Sequence, residues 1–279
     1  MKHSKIFNTC LTVLALNICT VHAETKIEGK KDGKVSLKYV FVFVGDGMSY
    51  PQIQSVAYYA GKDAAGIVDV IKKSENTGDS PSIKNLSFYD FPIAGSASTY
   101  DATSFAPDSA STATSIFTGY KTHSSSINVD ITKKIKYRTI AEQLRDQKNW
   151  KIGVVSTVKL NHATPAATYA HQASHKSNCA IGQELAESAG YKVCFTQNEA
   201  NSLQNGDKAI VVAETLDDGN AMSYDNDRKN GEWALRDYVR KGIEVLDNKK
   251  GFFMMVEGGK VDWAAMQMMH VLLLQTHWL

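Results

Sequence analysis

The sequence predicts an α/β fold, a three-layer α/β/α sandwich around a mainly parallel sheet. Three observations carry that expectation. Short uncharged runs rich in β-branched and aromatic residues recur along the chain, starting with Tyr39-Val40-Phe41-Val42-Phe43-Val44, and such runs suit strands buried on both faces. Stretches of helical character lie between them, and strands alternating with helices favour a parallel sheet covered on both sides. With 279 residues, 43% apolar and 22% charged, the chain is long enough to bury a sizeable core. That composition excludes disorder, collagen, a coiled coil and a disulfide mini-scaffold.

The elements follow in chain order. Residues 1–23 (MKHSKIFNTCLTVLALNICTVHA) carry basic Lys2 and Lys5, an apolar stretch to Val21 and a small exit at Ala23, the pattern of a signal peptide. Its apolar run is short and interrupted by Asn8 and Asn17, so no membrane span is expected once it is removed. An exported, periplasmic or secreted protein is expected. Removal takes away two lysines and no acids, leaving 29 basic and 29 acidic residues, and this balance argues against nucleic-acid binding. It also leaves only Cys179 and Cys194, which could form one disulfide or stay as thiols. Residues 39–44 are the first strand and 139–148 (TIAEQLRDQK) an exposed helix. Residues 151–155 (KIGVV) and 209–213 (AIVVA) follow as strands. The stripe Leu235, Val239, Gly242, Leu246 marks a helix over 232–246, and 251–256 (GFFMMV) is a fourth strand. No repeat or linker interrupts 24–265, so one domain is expected there.

In sheets of this kind, sites gather at the carboxyl ends of the strands. The first strand runs into Gly45-Asp46-Gly47, the second into Ser156-Thr157 and then Asn161-His162-Ala163-Thr164, the fourth into Glu257-Gly258-Gly259-Lys260-Val261-Asp262. Taken alone, Asp46 reads as an Asp-Gly turn, and one glycine too few excludes a dinucleotide fingerprint. Asp108-Ser109-Ala110-Ser111 would place a serine at a helix start, where N–H groups favour an anion, or would merely cap that helix. Asp46, Thr164, Glu257 and Asp262 offer hard oxygen ligands suited to Mg²⁺, and carboxylates also serve Zn²⁺.

These residues resemble the alkaline phosphatases. The likeness runs from about Tyr39 to Ala265 and rests on Gly45-Asp46-Gly47-Met48, Pro107-Asp108-Ser109-Ala110, His162-Ala163-Thr164-Pro165-Ala166 and Val256-Glu257-Gly258-Gly259-Lys260-Val261-Asp262-Trp263-Ala264-Ala265, in the family's order. The resemblance implies hydrolysis of small phosphate monoesters through a phosphoserine, with two Zn²⁺ and one Mg²⁺, and allows a homodimer. It implies Ser109 as nucleophile, Asp108 as a residue orienting the phosphate-binding group, and Asp46 as a bridge between a zinc and the magnesium. Thr164 and Glu257 would bind magnesium and Asp262 the other zinc. His162 and Trp263 look like the His and Trp of some family members, where others have Asp and Lys.

Three departures set this chain apart. His175 stands where the family has a phosphate-clamping arginine, and an imidazole cannot make the bidentate contact. Ser188 to Lys208 looks compressed, as if one central strand were missing. After Ala265 the family has a run like His-Ala-Asn-Asp-Ala, whereas this chain has Met266-Gln267-Met268-Met269-His270. If the Ala265 codon ends in C, those codons read in the neighbouring frame spell the family's run. Residues 266–279 are therefore expected to be an out-of-frame tail, and 24–265 a partial domain incomplete at its C-terminus. With several zinc ligands missing, the chain is expected to be inactive or nearly so. The alternatives are a non-catalytic relic with weak metal or phosphate binding, a phosphodiesterase or sulfatase on the same scaffold, and a secreted binding module.

Overall fold

The computed structural model describes residues 37–61, 83–187 and 191–267. The expected signal peptide, residues 1–23, and positions 268–279 of the expected tail lie outside the described residues. Within the expected domain the described residues fall into two compact units. The larger holds those up to Asp46 and those of Ser96–Lys260. The smaller holds those of Gly47–Gly95 and from Val261 onward.

In the larger unit, strands β1 (Tyr39–Gly45), β2 (Lys151–Ser156) and β5 (Phe252–Gly258) form a parallel sheet in the order β1-β5-β2. The register sets Val44 and Ser156 beside Glu257 and Gly45 beside Gly258, so all three strands finish together. Strands β3 (Lys192–Cys194) and β4 (Ala209–Val211) pair in a separate parallel ribbon. Both sheets are parallel, as the alternation of strands and helices led one to expect.

The layers follow from the period-two alternation of β5, the central strand. Phe253 and Met255 pack with Ala110, Ala113 and Phe117 of helix α2 (Ser109–Thr118) and with Ala141 and Leu144 of helix α3 (Ile140–Lys148). Phe252, Met254 and Val256 face the other way, onto Leu235, Val239 and Leu246 of helix α7 (Leu235–Leu246). All seven β5 residues but Gly258 are buried. Gly153 of β2 permits the close approach of α7, since a Cβ there would lie 2.4 Å from Leu246 Cδ1. Helices α4 (Ala163–Ala166), α5 (Asn178–Ala186) and α6 (Gln197–Asn201) complete this unit. Cys179 and Cys194 are both free thiols, the first exposed and the second buried.

The smaller unit contains α1 (Tyr50–Gly61), a 3-10 turn at Ser87–Asp90 and the helical residues 261–267. Gly47 takes φ +59, and a Cβ there would lie 2.6 Å from Asp262 Oδ1. Both the left-handed backbone and the close carboxylate demand glycine. Among the described residues, no helix is long and apolar enough to cross a membrane.

Candidate active site

Ser109 is the first residue of α2, and Asp108 is its N-cap. The Ser111 N–H donates to Asp108 Oδ1 at 3.1 Å. This cap satisfies one free amide of the first turn and leaves the helix end facing the Ser109 hydroxyl. Ser109 Oγ lies 2.9 and 3.0 Å from the two Asp46 carboxylate oxygens. Sixty-three residues separate the pair in sequence. Asp46 reaches the serine because it follows β1 directly, at the carboxyl edge of the sheet.

Asp108 is held by a second layer of contacts. Ser111 Oγ lies 2.6 Å from Asp108 Oδ1 and 3.2 Å from Asp101 Oδ2. Asp101, only 4% exposed, also accepts from the Thr103 and Ser104 N–H groups at 2.6 Å each and from the Ser124 hydroxyl. His175 Nδ1 stands 3.7 Å from Asp108 Oδ2. Burial alone would raise the Asp108 pKa. The Ser111 hydroxyl, the main-chain N–H groups of Ser125 and Ser111 and the His175 charge outweigh it and hold the carboxyl below its ordinary value.

Glu257 is fully buried on β5, and the Ser156 hydroxyl of β2 donates to its Oε2. Burial pushes its pKa up to about 7, and the Asp46 charge pushes the same way, while Ser156 and Thr164 oppose it. Thr164, 2% exposed on α4, and Glu257 are neighbours, yet neither Thr164 Oγ1 nor Glu257 Oε1 makes a hydrogen bond of good geometry. Unsatisfied buried oxygens are rare and call for a partner. Two of them, with the Asp46 carboxylate adding charge, form a donor set of hard oxygens that fits Mg²⁺. Zinc does not fit in the same way. Among the described residues no group of three or more His, Cys, Asp or Glu side chains could hold a metal ion, and such sites use about three protein ligands.

Of the expected site residues, the larger unit therefore joins Asp46 to Ser109, Asp108 to His175, and Glu257 to Ser156. His162 is the N-cap of α4, with no side-chain cap bond. Asp262 and Trp263 belong to the smaller unit, Asp262 against Gly47. Sequence reasoning missed Ser111 and Asp101. The three-residue spacing from Asp108 to Ser111 is a capping signal that could have found the first. Nothing in the local sequence marks Asp101.

The molecule is thus an α/β protein with a serine-centred polar site at the carboxyl edge of a parallel sheet. The alkaline phosphatase family model matches residues 37–198 and 181–276. The chain belongs to the alkaline phosphatase family, a family of hydrolases. It is 30% identical to alkaline phosphatase 4 of Bacillus subtilis over 86% of its own length and 55% of that protein's. It is 26% identical to alkaline phosphatase 3 of the same organism, covering 85% and 54%. The chain spans about half the length of these curated relatives. A cold-active alkaline phosphatase from a psychrophilic Shewanella matches with TM-score 0.63 and 25% identity, over 82% of this chain and 57% of that one. The Thermus thermophilus alkaline phosphatase shares the fold, with TM-score 0.64 and 17% identity over 89% and 55%.

Proposed function

We propose that the chain carries the serine half of a phosphate-monoester hydrolase site, with Ser109 as the phosphoryl acceptor. The observation that carries this reading is the Ser109 hydroxyl held by both Asp46 oxygens at the start of a ten-residue helix. Asp46 fixes the Oγ position and takes its proton. The Ser109 Oγ–P bond forms as the ester P–O bond breaks, and the alcohol leaves with a proton. Water then attacks the phosphoserine phosphorus, the Oγ–P bond breaks, inorganic phosphate leaves, and Ser109 Oγ takes back a proton. The first-turn N–H groups of α2 face the anionic group. Asp108 orients His175, which is a weaker phosphate contact than an arginine and one that depends on protonation. Asp46, Thr164 and Glu257 would hold Mg²⁺, which when bound neutralises charge beside the serine. No step is assigned to zinc.

Export after removal of residues 1–23 and action on small phosphate monoesters belong to the same reading. A second reading, a product that binds magnesium or phosphate without turnover, is favoured by the lack of a three-ligand cluster among the described residues. Incubation with a labelled monoester, acid quench and peptide mapping separates the two. Label on Ser109, lost in Ser109→Ala and dependent on Mg²⁺, supports phosphoryl transfer. Magnesium binding with neither label nor turnover leaves the non-catalytic reading.

A further inference from the structure

Strands β2 and β4 line opposite sides of a cleft of about 1200 Å³, and both present unpaired edges to it. In β2, the Lys151 N–H donates to the Gly251 carbonyl and the Thr157 N–H to that of Glu257. Residues 151, 153, 155 and 157 therefore bond to β5, and the main-chain groups of Ile152, Val154 and Ser156 point away from it. In the ribbon, the Lys192 N–H donates to the Lys208 carbonyl and the Val212 N–H to that of Cys194. Ile210 therefore bonds to β3, and the main chain of Ala209 and Val211 points away. Among the described residues, no hydrogen bond reaches the outward N–H and C=O groups of Ile152, Val154, Ala209 and Val211.

The two strands begin close together. The Gly206 N–H, just before β4, and Lys151 Nζ, at the start of β2, both donate to the Val245 carbonyl. Most of the cleft lining is apolar, although Glu142, Arg145, His171, Glu184 and Glu187 also border it. Tyr169 and Leu185 belong to this lining, as do Trp233, Tyr238 and Val245, with Tyr169 and the pair Trp233 and Val245 in different apolar clusters. Lys151 opens β2 and Lys208 precedes β4, so two lysines line the cleft at the end where both strands begin, while Lys241 pairs with Glu244 and Asp207 with Lys192.

We propose that this cleft is a strand-acceptor slot. It takes an extended segment of another polypeptide, apolar on both faces and preceded by an acidic residue, as a parallel strand hydrogen-bonded to β2 and β4 at once. Two facing rows of main-chain donors and acceptors call for a peptide rather than a small apolar ligand. The apolar walls call for side chains without charge on either face, as in a central parallel strand. The basic end meets the N-terminal end of a segment running parallel. Six residues, the length of β2, would extend about 20 Å. The proposal stands apart from the phosphatase reading, since none of its groups belongs to the serine site.

The test uses the full chain and an acetylated peptide of one Glu, five Val residues, a glycine and two lysines. Trp150 and Trp233 line the cleft, so their fluorescence reports binding. Hydrogen exchange reports where the peptide pairs. Saturable binding with ~tenfold slower exchange at Ile152, Val154 and Val211 is expected. N-methylation of alternate peptide residues should abolish it. So should Gly182→Phe, because Gly182 lines the cleft and a Cβ there meets nothing within 4 Å. The new Cβ meets no neighbour, the ring beyond it occupies cleft volume, and the change removes a helix glycine. No saturable binding overturns the proposal, as does protection of one strand only or binding unchanged in Gly182→Phe. The same protection gained by the protein alone at higher concentration would assign the slot to a second copy and also overturn it.

Discussion

Strands β5 and β2 are neighbours in one sheet, parallel and in register, yet they live in different surroundings. β5 is paired on both sides and buried almost end to end. β2 is paired on one side, half-buried throughout, and faces the cleft with its other edge. β5 therefore supplies the rigidity that fixes Glu257, whereas β2 contributes only a hydroxyl, that of Ser156, and an open edge. Stability and interaction are divided between adjacent strands. Truncating each strand tests that division most forcefully. Phe253→Ala removes a side chain 1% exposed that contacts Phe117 edge-on at 6.4 Å, and should cost about 3–5 kcal/mol. Val154→Ala on β2 should cost only about 1 kcal/mol. Urea denaturation of the two variants measures both. Equal losses would show that β2 is as closely packed as β5 and would remove the contrast.

Glu257 is where the stable strand carries a group that strains it. Its carboxyl is raised from the ordinary 4.5 to about 7, so the folded state binds a proton more tightly than the unfolded state does. Stability is then greatest below pH 4.5 and falls as pH rises through 7. Each tenfold difference in proton affinity is worth roughly 1.4 kcal/mol, so the loss is about 3 kcal/mol. In metal-free protein, Glu257→Gln should raise stability by about 2–3 kcal/mol at pH 8 and by little at pH 4.5. The same variant should lose the stabilisation by Mg²⁺ that the parent shows at pH 8. Thermal denaturation with EDTA and with Mg²⁺ at the two pH values checks both halves. A variant that gains nothing at pH 8 without metal would mean that Glu257 is not under strain. A variant still stabilised by Mg²⁺ would move the cation elsewhere.

The same contrast explains what could be read from the sequence. β1, β2 and β5 were legible because a strand buried in a parallel sheet must be an uncharged run, and such runs are few. β3 was not legible, since Lys192–Cys194 is three residues long and two of them are exposed. β4 ends at Val211 rather than Ala213, because its ladder to β3 holds only three residue pairs. Helix α7 begins at Leu235 rather than Glu232, because the Asp237 carboxylate accepts from the Ala234 N–H and sets the cap there, which periodicity does not register. Within the site, the placing of Asp46 and Glu257 at strand ends, and of Thr164 in the segment after β2, followed from pattern. The pairing of Asp46 with Ser109 could come only from resemblance, because 63 residues separate the two. Asp101 was invisible because its partners are loop hydroxyls and amides with no spacing of their own. The open edges of β2 and β4 were equally hidden, since sequence marks a strand but not its missing neighbour.

The smallest effect concerns what stiffens the β2 side of the sheet. His171, nearly buried, sits between α3 and α5, and both helices wall the cleft. Its Nε2 lies 3.4 Å from Glu142 and 3.0 Å from the Tyr137 carbonyl, and its Nδ1 lies 3.5 Å from Glu184. With acceptors at both ring nitrogens, the doubly protonated imidazolium suits the position best. Burial alone would lower its pKa, but the two carboxylates and the carbonyl outweigh it and raise the value above the ordinary 6.5. A raised histidine contributes stability in full below the unfolded pKa and loses it as pH rises through the folded one. His171→Gln should therefore cost about 1–2 kcal/mol more at pH 5.5 than at pH 9. Urea titrations at the two pH values measure the difference. If β2 is held mainly by β5, the variant should leave exchange at Gly153 and Val155, which bond to β5, unchanged. Faster exchange there would show that the clamp of α3 and α5, and not the central strand alone, keeps the open edge in place.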